Sequence, residues 1–294
     1  MNLLHNAQSS TICEVDMKTF ILPFYIAIVL YILVLPMTAS SQNYIQPFKN
    51  GKIDWSNGVA EAIAIGIPPV DPVDVEQARA MAEKEAVTSA RRHLLEIIGG
   101  IQVESQTYIK DLTKGSEKIG KEIDHLLKES DVVDVAYLKD GSVMVTVTLK
   151  LLGSLADLVL PKTIRRINPV KQSGAPNKEK GDAYTGLVLD CRGFEVITAM
   201  APEIVDEDGK VVYGSAYVSR DYAVKKGMAG YTRDFKANEV HPRVGERPLV
   251  VKGIRTAKSG PSDIVVSNAD SAKIRGTASN LSFLKQCRVL IVLD

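Results

Sequence analysis

Val132-Val133-Asp134-Val135-Ala136-Tyr137-Leu138-Lys139-Asp140-Gly141-Ser142-Val143-Met144-Val145-Thr146-Val147-Thr148-Leu149 reads as a β-hairpin. Val143, Val145, Val147 and Leu149 alternate with Met144, Thr146 and Thr148, the period of a strand with one buried face. Asp140-Gly141 supplies a turn dipeptide that tolerates left-handed backbone. Working back along the chain, Ile53–Val59 and Ala60–Ile67 are strand material with Gly58 as a bulge or turn, and Pro68-Pro69 ends it. Asp71-Pro72 then leads into a helix. Asp74 is its N-cap and Gln77, at the third helical position, completes a capping-box pattern. The helix runs to about Ile98 and stops at Gly99-Gly100. Its buried stripe is Val75, Ala78, Ala82, Ala86, Ser89, His93 and Ile97 at helical spacing. Those side chains are mostly small, so this helix can lie close on a sheet.

Working forward, Ile101–Glu104 is a short strand, and a second helical stretch covers Thr113–Glu129 with interruptions at Gly115 and Gly120. Asn168–Ala183 has two prolines, two glycines, three lysines and almost no apolar side chain, the composition of a linker. Beyond it come strands at Thr185–Asp190, Glu195–Thr198, Glu203–Val205 paired with Lys210–Tyr213, Leu249–Ile254 and Asp263–Val266. Asn268 caps a helix running towards Leu284, and Cys287–Leu293 is a continuous apolar strand, central in its sheet. The fold class is therefore α+β, with two small domains. Each is an antiparallel or mixed sheet with one or two packed helices, after an N-terminal signal segment. The divisions fall at 1–41 (signal segment), 42–167, 168–183 (linker) and 184–294.

The signal segment rests on Lys18, an apolar run Phe20–Met37, and Thr38-Ala39-Ser40-Ser41 ahead of Gln42. One cation, a hydrophobic core and small residues form the layout of a bacterial secretory leader, and Pro36 ends its helix before the cleavage region. Met17-Lys18-Thr19-Phe20 reads as the true start, with residues 1–16 a misannotated extension. Two outcomes follow. Either the leader is removed and the body works in the periplasm or outer envelope, or residues 20–37 stay as an inner-membrane anchor. Membrane contact is expected through this segment alone.

Without Lys18, Glu14 and Asp16 the chain carries 35 basic and 33 acidic residues, a balance of +2. That gives no electrostatic reason to bind nucleic acid. Cys191 and Cys287 sit in strand-like runs; they are a disulfide pair if those strands are neighbours with facing side chains, and buried thiols otherwise.

Several fragments imitate catalytic motifs. Ser282-Phe283-Leu284-Lys285 and Lys258-Ser259-Gly260 have acyl-transfer spacings, but in the wrong order and with no middle motif. Tyr222 and Lys226 have a reductase spacing without the glycine-rich turn that a nucleotide fold needs. Glu122 with His125, and His93 with Glu96, lack the further carboxylates of a di-metal site. Asp206-Glu207-Asp208-Gly209 lacks the closing glutamate of a calcium loop and reads as a hairpin turn. No catalytic residue, metal ligand or cofactor is assigned. Arg220, Tyr222, Tyr231 and Arg233 combine arginine and tyrosine around Gly227–Gly230, a mixture favoured at protein interfaces.

Two blocks resemble known families. Trp55-Ser56-Asn57-Gly58, Ala60–Pro69, Gln77-Ala78-Arg79 and Ala90-Arg91-Arg92-His93-Leu94-Leu95-Glu96 resemble a bacterial envelope module. That module is shared by the twenty-kilodalton outer-membrane lipoproteins and the N-terminal domain of flagellar assembly protein T, and the likeness covers about residues 50–150. Thr185–Asp190, Asp206–Gly209, Tyr213-Gly214, Ser219–Tyr222 and Cys287–Asp294 resemble the C-terminal half of uncharacterised secreted proteins of bacteria with two membranes. The resemblance implies an envelope protein with a role in envelope or flagellum-associated structure, and it brings no enzymatic activity with either block. The chain lacks the lipidation cysteine of the lipoproteins. The expectation is a non-enzymatic binding or assembly component whose partner is an envelope protein or polymer. The alternatives are a periplasmic hydrolase, or a soluble ligand-binding protein, with a site between the two domains.

Overall fold

The computed structural model describes residues 43–70, 74–164, 184–236 and 240–294. The signal segment at 1–41 and the linker at 168–183 lie outside them. Strands β1 (Ile45–Phe48), β2 (Gly51–Asp54) and β3 (Val59–Gly66) precede the long helix α1 (Val75–Gly99). Then come β4 (Gln102–Glu104), β5 (Thr107–Tyr108), α2 (Ile109–Gly115), α3 (Glu117–Lys128), β6 (Asp131–Tyr137), β7 (Val143–Lys150) and α4 (Ser154–Val159). Five of these strands form an antiparallel sheet in the order β1-β2-β3-β7-β6. The hairpin forms where the sequence places it, and Gly141 takes φ +85° in its turn.

Helix α1 covers one face of this sheet. Ala60, Ala62 and Ala64 of β3 and Val143, Val145 and Val147 of β7 are buried with Ala82, Ala86, Ala90 and Leu94 of the helix. The small side chains do bring helix and sheet together: a Cβ on Gly66 would collide with the carbonyl oxygen of Ala82. The buried stripe differs from the expected one. It follows Ala78, Ala82, Ala86, Ala90, Leu94 and Ile98, while Val75 is exposed and Ser89 and His93 are half-buried. Steps of four residues carry the contact line slowly round the helix, as suits a helix lying on a twisted sheet. Asp74 caps the helix by accepting from the Glu76 N–H at 3.4 Å. The second helical stretch divides only at Gly115, where Ser116 accepts from the Ile119 N–H and starts α3. Gly120 stays inside that helix.

The C-terminal part begins with β8 (Gly186–Asp190), β9 (Ile204–Val205), β10 (Val211–Tyr213), α5 (Arg220–Lys226) and β11 (Gly230–Thr232). It continues with β12 (Pro248–Lys252), β13 (Arg255–Thr256), β14 (Ile264–Val265), α6 (Asn268–Arg275), α7 (Ala278–Lys285) and β15 (Val289–Val292). Two sheets result. One is parallel throughout, in the order β11-β15-β8-β12, and the other is mixed, in the order β10-β9-β14-β13. β8 and β15 occupy the middle of the parallel sheet. Leu187, Leu189, Val289 and Ile291 are buried in the main core, and Val188, Leu290 and Val292 are buried with Val244 in a smaller cluster. Covering on both faces is what a parallel sheet requires, and it explains the unbroken apolar run at Val289–Val292.

Three local readings change. Glu195–Thr198 is extended but joins no sheet; the Ile197 N–H donates instead to Pro261 O at 3.0 Å. Ser267, not Asn268, caps α6, accepting from the Asp270 N–H at 3.0 Å. The helix towards Leu284 is two helices, restarted by Thr277, which accepts from the Asn280 N–H.

Cys191 and Cys287 are buried free thiols. β8 and β15 run parallel with Leu187 opposite Val289 and Asp190 opposite Val292, so the two cysteines lie towards opposite ends of neighbouring strands. About six residues of strand, roughly 20 Å, separate those levels, far beyond disulfide reach. Burial pushes the Cys191 thiol up to about 12 and the Cys287 thiol up to about 11. Cys287 has φ +57°. It ends α7 as a Schellman motif, with Cys287 N–H on Leu284 O and Arg288 N–H on Phe283 O, a place glycine usually takes.

The two parts keep separate sheets yet pack into one compact unit spanning Ser41–Asp294. Among the described residues no helix is long and apolar enough to cross a membrane.

Candidate functional site

The residues singled out as an interface mostly face the molecule's own other half. Arg220, at the start of α5, reaches α4: its Nε donates to Asp157 Oδ1 at 2.9 Å, and its terminal nitrogens donate to the carbonyl oxygens of Asp157 and Pro161. Tyr231, on β11, is buried. Its hydroxyl accepts from the Ala199 N–H at 3.0 Å and donates to Ala199 O at 2.8 Å. Its ring meets Trp55 edge-on at 5.4 Å and Tyr44 at 6.3 Å. Arg233 lies over the Tyr44 ring at 5.3 Å. Tyr222 and Arg233 are exposed, and Lys226 lies over the Tyr222 ring. Arginine and tyrosine do mark an interface, but an internal one.

A second contact zone joins the β4–β5 hairpin to the mixed sheet. Met200 and Ala201 N–H groups donate to Gln102 O and Val103 O at 2.9 and 2.7 Å. The carboxylate of Asp263, fully buried, accepts from the hydroxyls of Ser105 at 2.8 Å, Ser259 at 2.7 Å and Ser262 at 3.3 Å, and from the Glu203 N–H at 3.3 Å. Such a donor set satisfies a buried charge. Burial and the nearby Asp263 raise the carboxyl pKa values of Glu104 and Glu203. The Gln102 amide nitrogen donates to Ser105 O and Ser262 Oγ. Two carboxyls with raised pKa beside a buried carboxylate resemble an acid/base pair. Here, however, the central carboxylate is occupied by three hydroxyls, that of Ser105 from the N-terminal half and those of Ser259 and Ser262 from its own half. Among the described residues no group of three His, Cys, Asp or Glu side chains is placed to hold a metal ion.

The motif fragments also serve structure. The His93 ring nitrogen Nδ1 sits 2.9 Å from Ile63 O at the part of β3 that β2 leaves uncovered. His125 pairs with Glu129 rather than Glu122. Asp206 accepts from the Asp208 and Lys210 N–H groups as a hairpin turn, with Gly209 at φ +81°.

The junction itself keeps a cleft of about 250 Å³, lined by Gly153, Ser154, Asp157, Arg220, Asp221, Val224 and Lys225, and larger clefts lie elsewhere. β8 is the point where connections diverge: the chain leaves it for β11 on one side and later returns as β12 on the other. In open α/β sheets that divergence creates a crevice at the carboxyl ends of the strands. One cleft of about 460 Å³ lies there, lined by Tyr44, Gly193, Phe194, Glu195, Val196, Leu293 and Asp294. A second, of about 420 Å³, is lined by Phe194, Glu195, Ile197, Arg255, Thr256 and Pro261. Phe194 and Glu195 are common to both. Asp190 and Arg192 flank the first cleft as a bidentate pair, with Nε–Oδ1 at 2.8 Å and the second contact at 2.6 Å, and the Gly193 N–H donates to Asp294 Oδ2. Sequence reasoning missed this place because its parts come from three distant segments. The one available signal was strand order, and strand order is not written in composition.

No curated protein matches the chain. Residues 186–294 match the family model described as Treponema pallidum Tp0624, second domain, a bacterial protein. The match opens at the first residue of β8, so the region similar to that domain takes in both the parallel and the mixed sheet.

Proposed function

We propose that this chain is a non-catalytic bacterial envelope component that acts by docking, through the crevice at the carboxyl edge of the parallel sheet. The observation that carries this reading is where the polar chemistry has gone. A hydrolase or binding protein working between the two halves needs free groups at their junction. Instead the groups that cross the junction are engaged with one another: Arg220 with Asp157, Ser105 with Asp263, and the Tyr231 ring with Trp55 and Tyr44. The larger open concavities lie on the outer edge of the sheet, with aromatic side chains and a charged rim suited to recognition. An exported location is supported by the leader pattern at 17–41 and by the resemblance of residues 50–150 to the envelope lipoprotein and flagellar assembly protein T module. A flagellum-associated setting rests on that resemblance alone. The partner class is an envelope protein or polymer.

Photocrosslinking in cells tests the reading. A benzoylphenylalanine at position 194 of the full chain is expected to capture a discrete envelope component, and the same group at Ile65 on the antiparallel sheet is not. Equal labelling at both positions, or none at 194, overturns it. Fractionation of the same cells checks location: recovery of the chain from the cytosol with its leader intact would remove the envelope setting.

A further inference from the structure

The antiparallel sheet ends in β1 on one side and β6 on the other. β1 is tied to the C-terminal part by the bridge from Asn43 to Thr232. β6 pairs with β7 alone, and among the described residues no strand lies on its other side. Exposed apolar side chains gather on this edge: Val132, Val133 and Tyr137, followed by Leu138. Tyr137 stays 54% exposed although its hydroxyl donates to Glu83 at 2.9 Å and Arg79 lies over its ring. A free edge of this kind is a template for a further strand. The hairpin shows which backbone groups it offers. The Leu138 N–H donates to Ser142 O at 2.9 Å, towards β7. Antiparallel alternation turns Ala136 and Asp134 the same way, opposite Met144 and Thr146, and leaves the N–H and C=O of Val135 and Tyr137 on the open side.

We infer that β6 pairs antiparallel with β6 of a second copy of this chain, about a two-fold axis at Val135. Charge selects both the occupant and the register. With Val135 opposite itself, Val133 meets Tyr137, Val132 meets Leu138, Asp134 meets Ala136 and Asp131 meets Lys139. Apolar side chains then face apolar ones, and the single cation of residues 131–139 faces a carboxylate. The neighbouring registers that keep open-side groups together all fail. Centring on Asp134 sets two carboxylates opposite each other, which is destabilising. Centring on Ala136 sets Asp134 against Leu138 and Lys139 against Val133, and centring on Val133 sets Asp134 against Val132. Asp131, Asp134 and Lys139 are exposed, and their side chains have no hydrogen-bond or ion-pair partner among the described residues. The aspartates and the bulge at Val133 are devices that keep an edge from open-ended pairing. A two-fold pair is closed, since each copy spends the same edge on the other. The inference is independent of the docking reading, whose crevice lies at the parallel sheet.

Sedimentation velocity of the full chain over a range of concentrations tests it, and a monomer–dimer equilibrium is expected. Asp131→Lys alone, or Lys139→Asp alone, sets like charges opposite each other twice per dimer and is expected to weaken it about tenfold. Mixing the two single variants rebuilds both ion pairs and is expected to return the dimer, as is the double variant Asp131→Lys/Lys139→Asp. Val135→Pro removes an open-side N–H, a change that edge strands tolerate, and is expected to leave monomer. Unchanged far-UV circular dichroism and Trp55 emission check that each variant is folded; the charge variants decide alone if the proline variant is not. A chain that stays monomeric at every concentration overturns the inference. So does a dimer indifferent to the folded proline variant, or single variants that their mixture fails to rescue. Capture of a different protein at this edge without self-association would also reject the second copy, and would leave the docking reading standing.

Discussion

The guanidinium of Arg220 and the carboxylate of Asp157, 63 residues apart, form an ion pair 2.9 Å long that ties α5 to α4. The arginine side chain is 16% exposed, and its remaining nitrogens bind two backbone carbonyl oxygens. A hydrogen bond to a charged group contributes about 1.5–3 kcal/mol, although the exposed Asp157 weakens its own share. Arg220→Ala is expected to lower stability by about 2 kcal/mol in urea unfolding. Arg220→Lys should recover less than half of that, since an ammonium cannot span three acceptors in a planar fork.

Tyr231→Phe keeps the ring contacts and deletes the hydroxyl that serves both backbone groups of Ala199. Leaving a buried donor and acceptor unmatched costs about 1–3 kcal/mol. Trp55 is the only tryptophan in the chain and touches this ring, so its emission reports the junction directly. In the parent chain its transition should coincide with that of far-UV circular dichroism, because one core serves both halves. Two separated transitions would show that the halves unfold independently.

Glu104 and Glu203 make stability depend on pH. Their folded-state pKa values lie above the ordinary 4.5 because of burial and Asp263. The fold therefore holds these protons more firmly than the unfolded chain does. Their contribution is full below the ordinary carboxyl value and is lost as pH rises through the raised values. Melting temperature measured from about pH 4 to about pH 8 should carry this downward component. Glu104→Gln with Glu203→Gln should flatten it, and an unchanged profile in that double variant would reject the assignment.

The two thiols give a chemical check on the strand order. With pKa values near 12 and 11 they hold almost no thiolate at neutral pH. Iodoacetamide at about pH 8 should leave Cys191 and Cys287 unmodified in the folded chain and label both in urea, as read by peptide mapping. A disulfide-linked peptide containing the pair would contradict the parallel register of β8 and β15.

Local structure was legible because its causes are local. Asp74, Gly99-Gly100, Asp140-Gly141 and Asp206–Gly209 act within a turn of their own positions, and each element boundary fell close to them. The small stripe on α1 announced close packing, confirmed at Gly66 and Ala82. The stripe's course past Ala86 was not legible, because it depends on the twist of the sheet beneath. Arg220 and Tyr231, expected at a surface for a partner protein, lie against other parts of this chain. Burial between two halves of one chain and burial between two chains select the same side chains. The crevice was invisible for a different reason: Tyr44, Phe194 and Asp294 meet only once the strand order is known.

That strand order also fixes a sequence of assembly. β11 pairs with nothing in its sheet except β15, and β15 is what joins it to β8. A chain emerging amino end first can set β12 beside β8, but β11 has only an isolated bridge from Thr232 to Asn43 until Val289–Val292 arrives. The contact between β8 and β15 then spans about a hundred residues, the kind of long-range pairing that slows folding. A polypeptide so arranged completes its parallel sheet only when its last described strand is delivered, whereas every strand of the antiparallel sheet is present by Lys150.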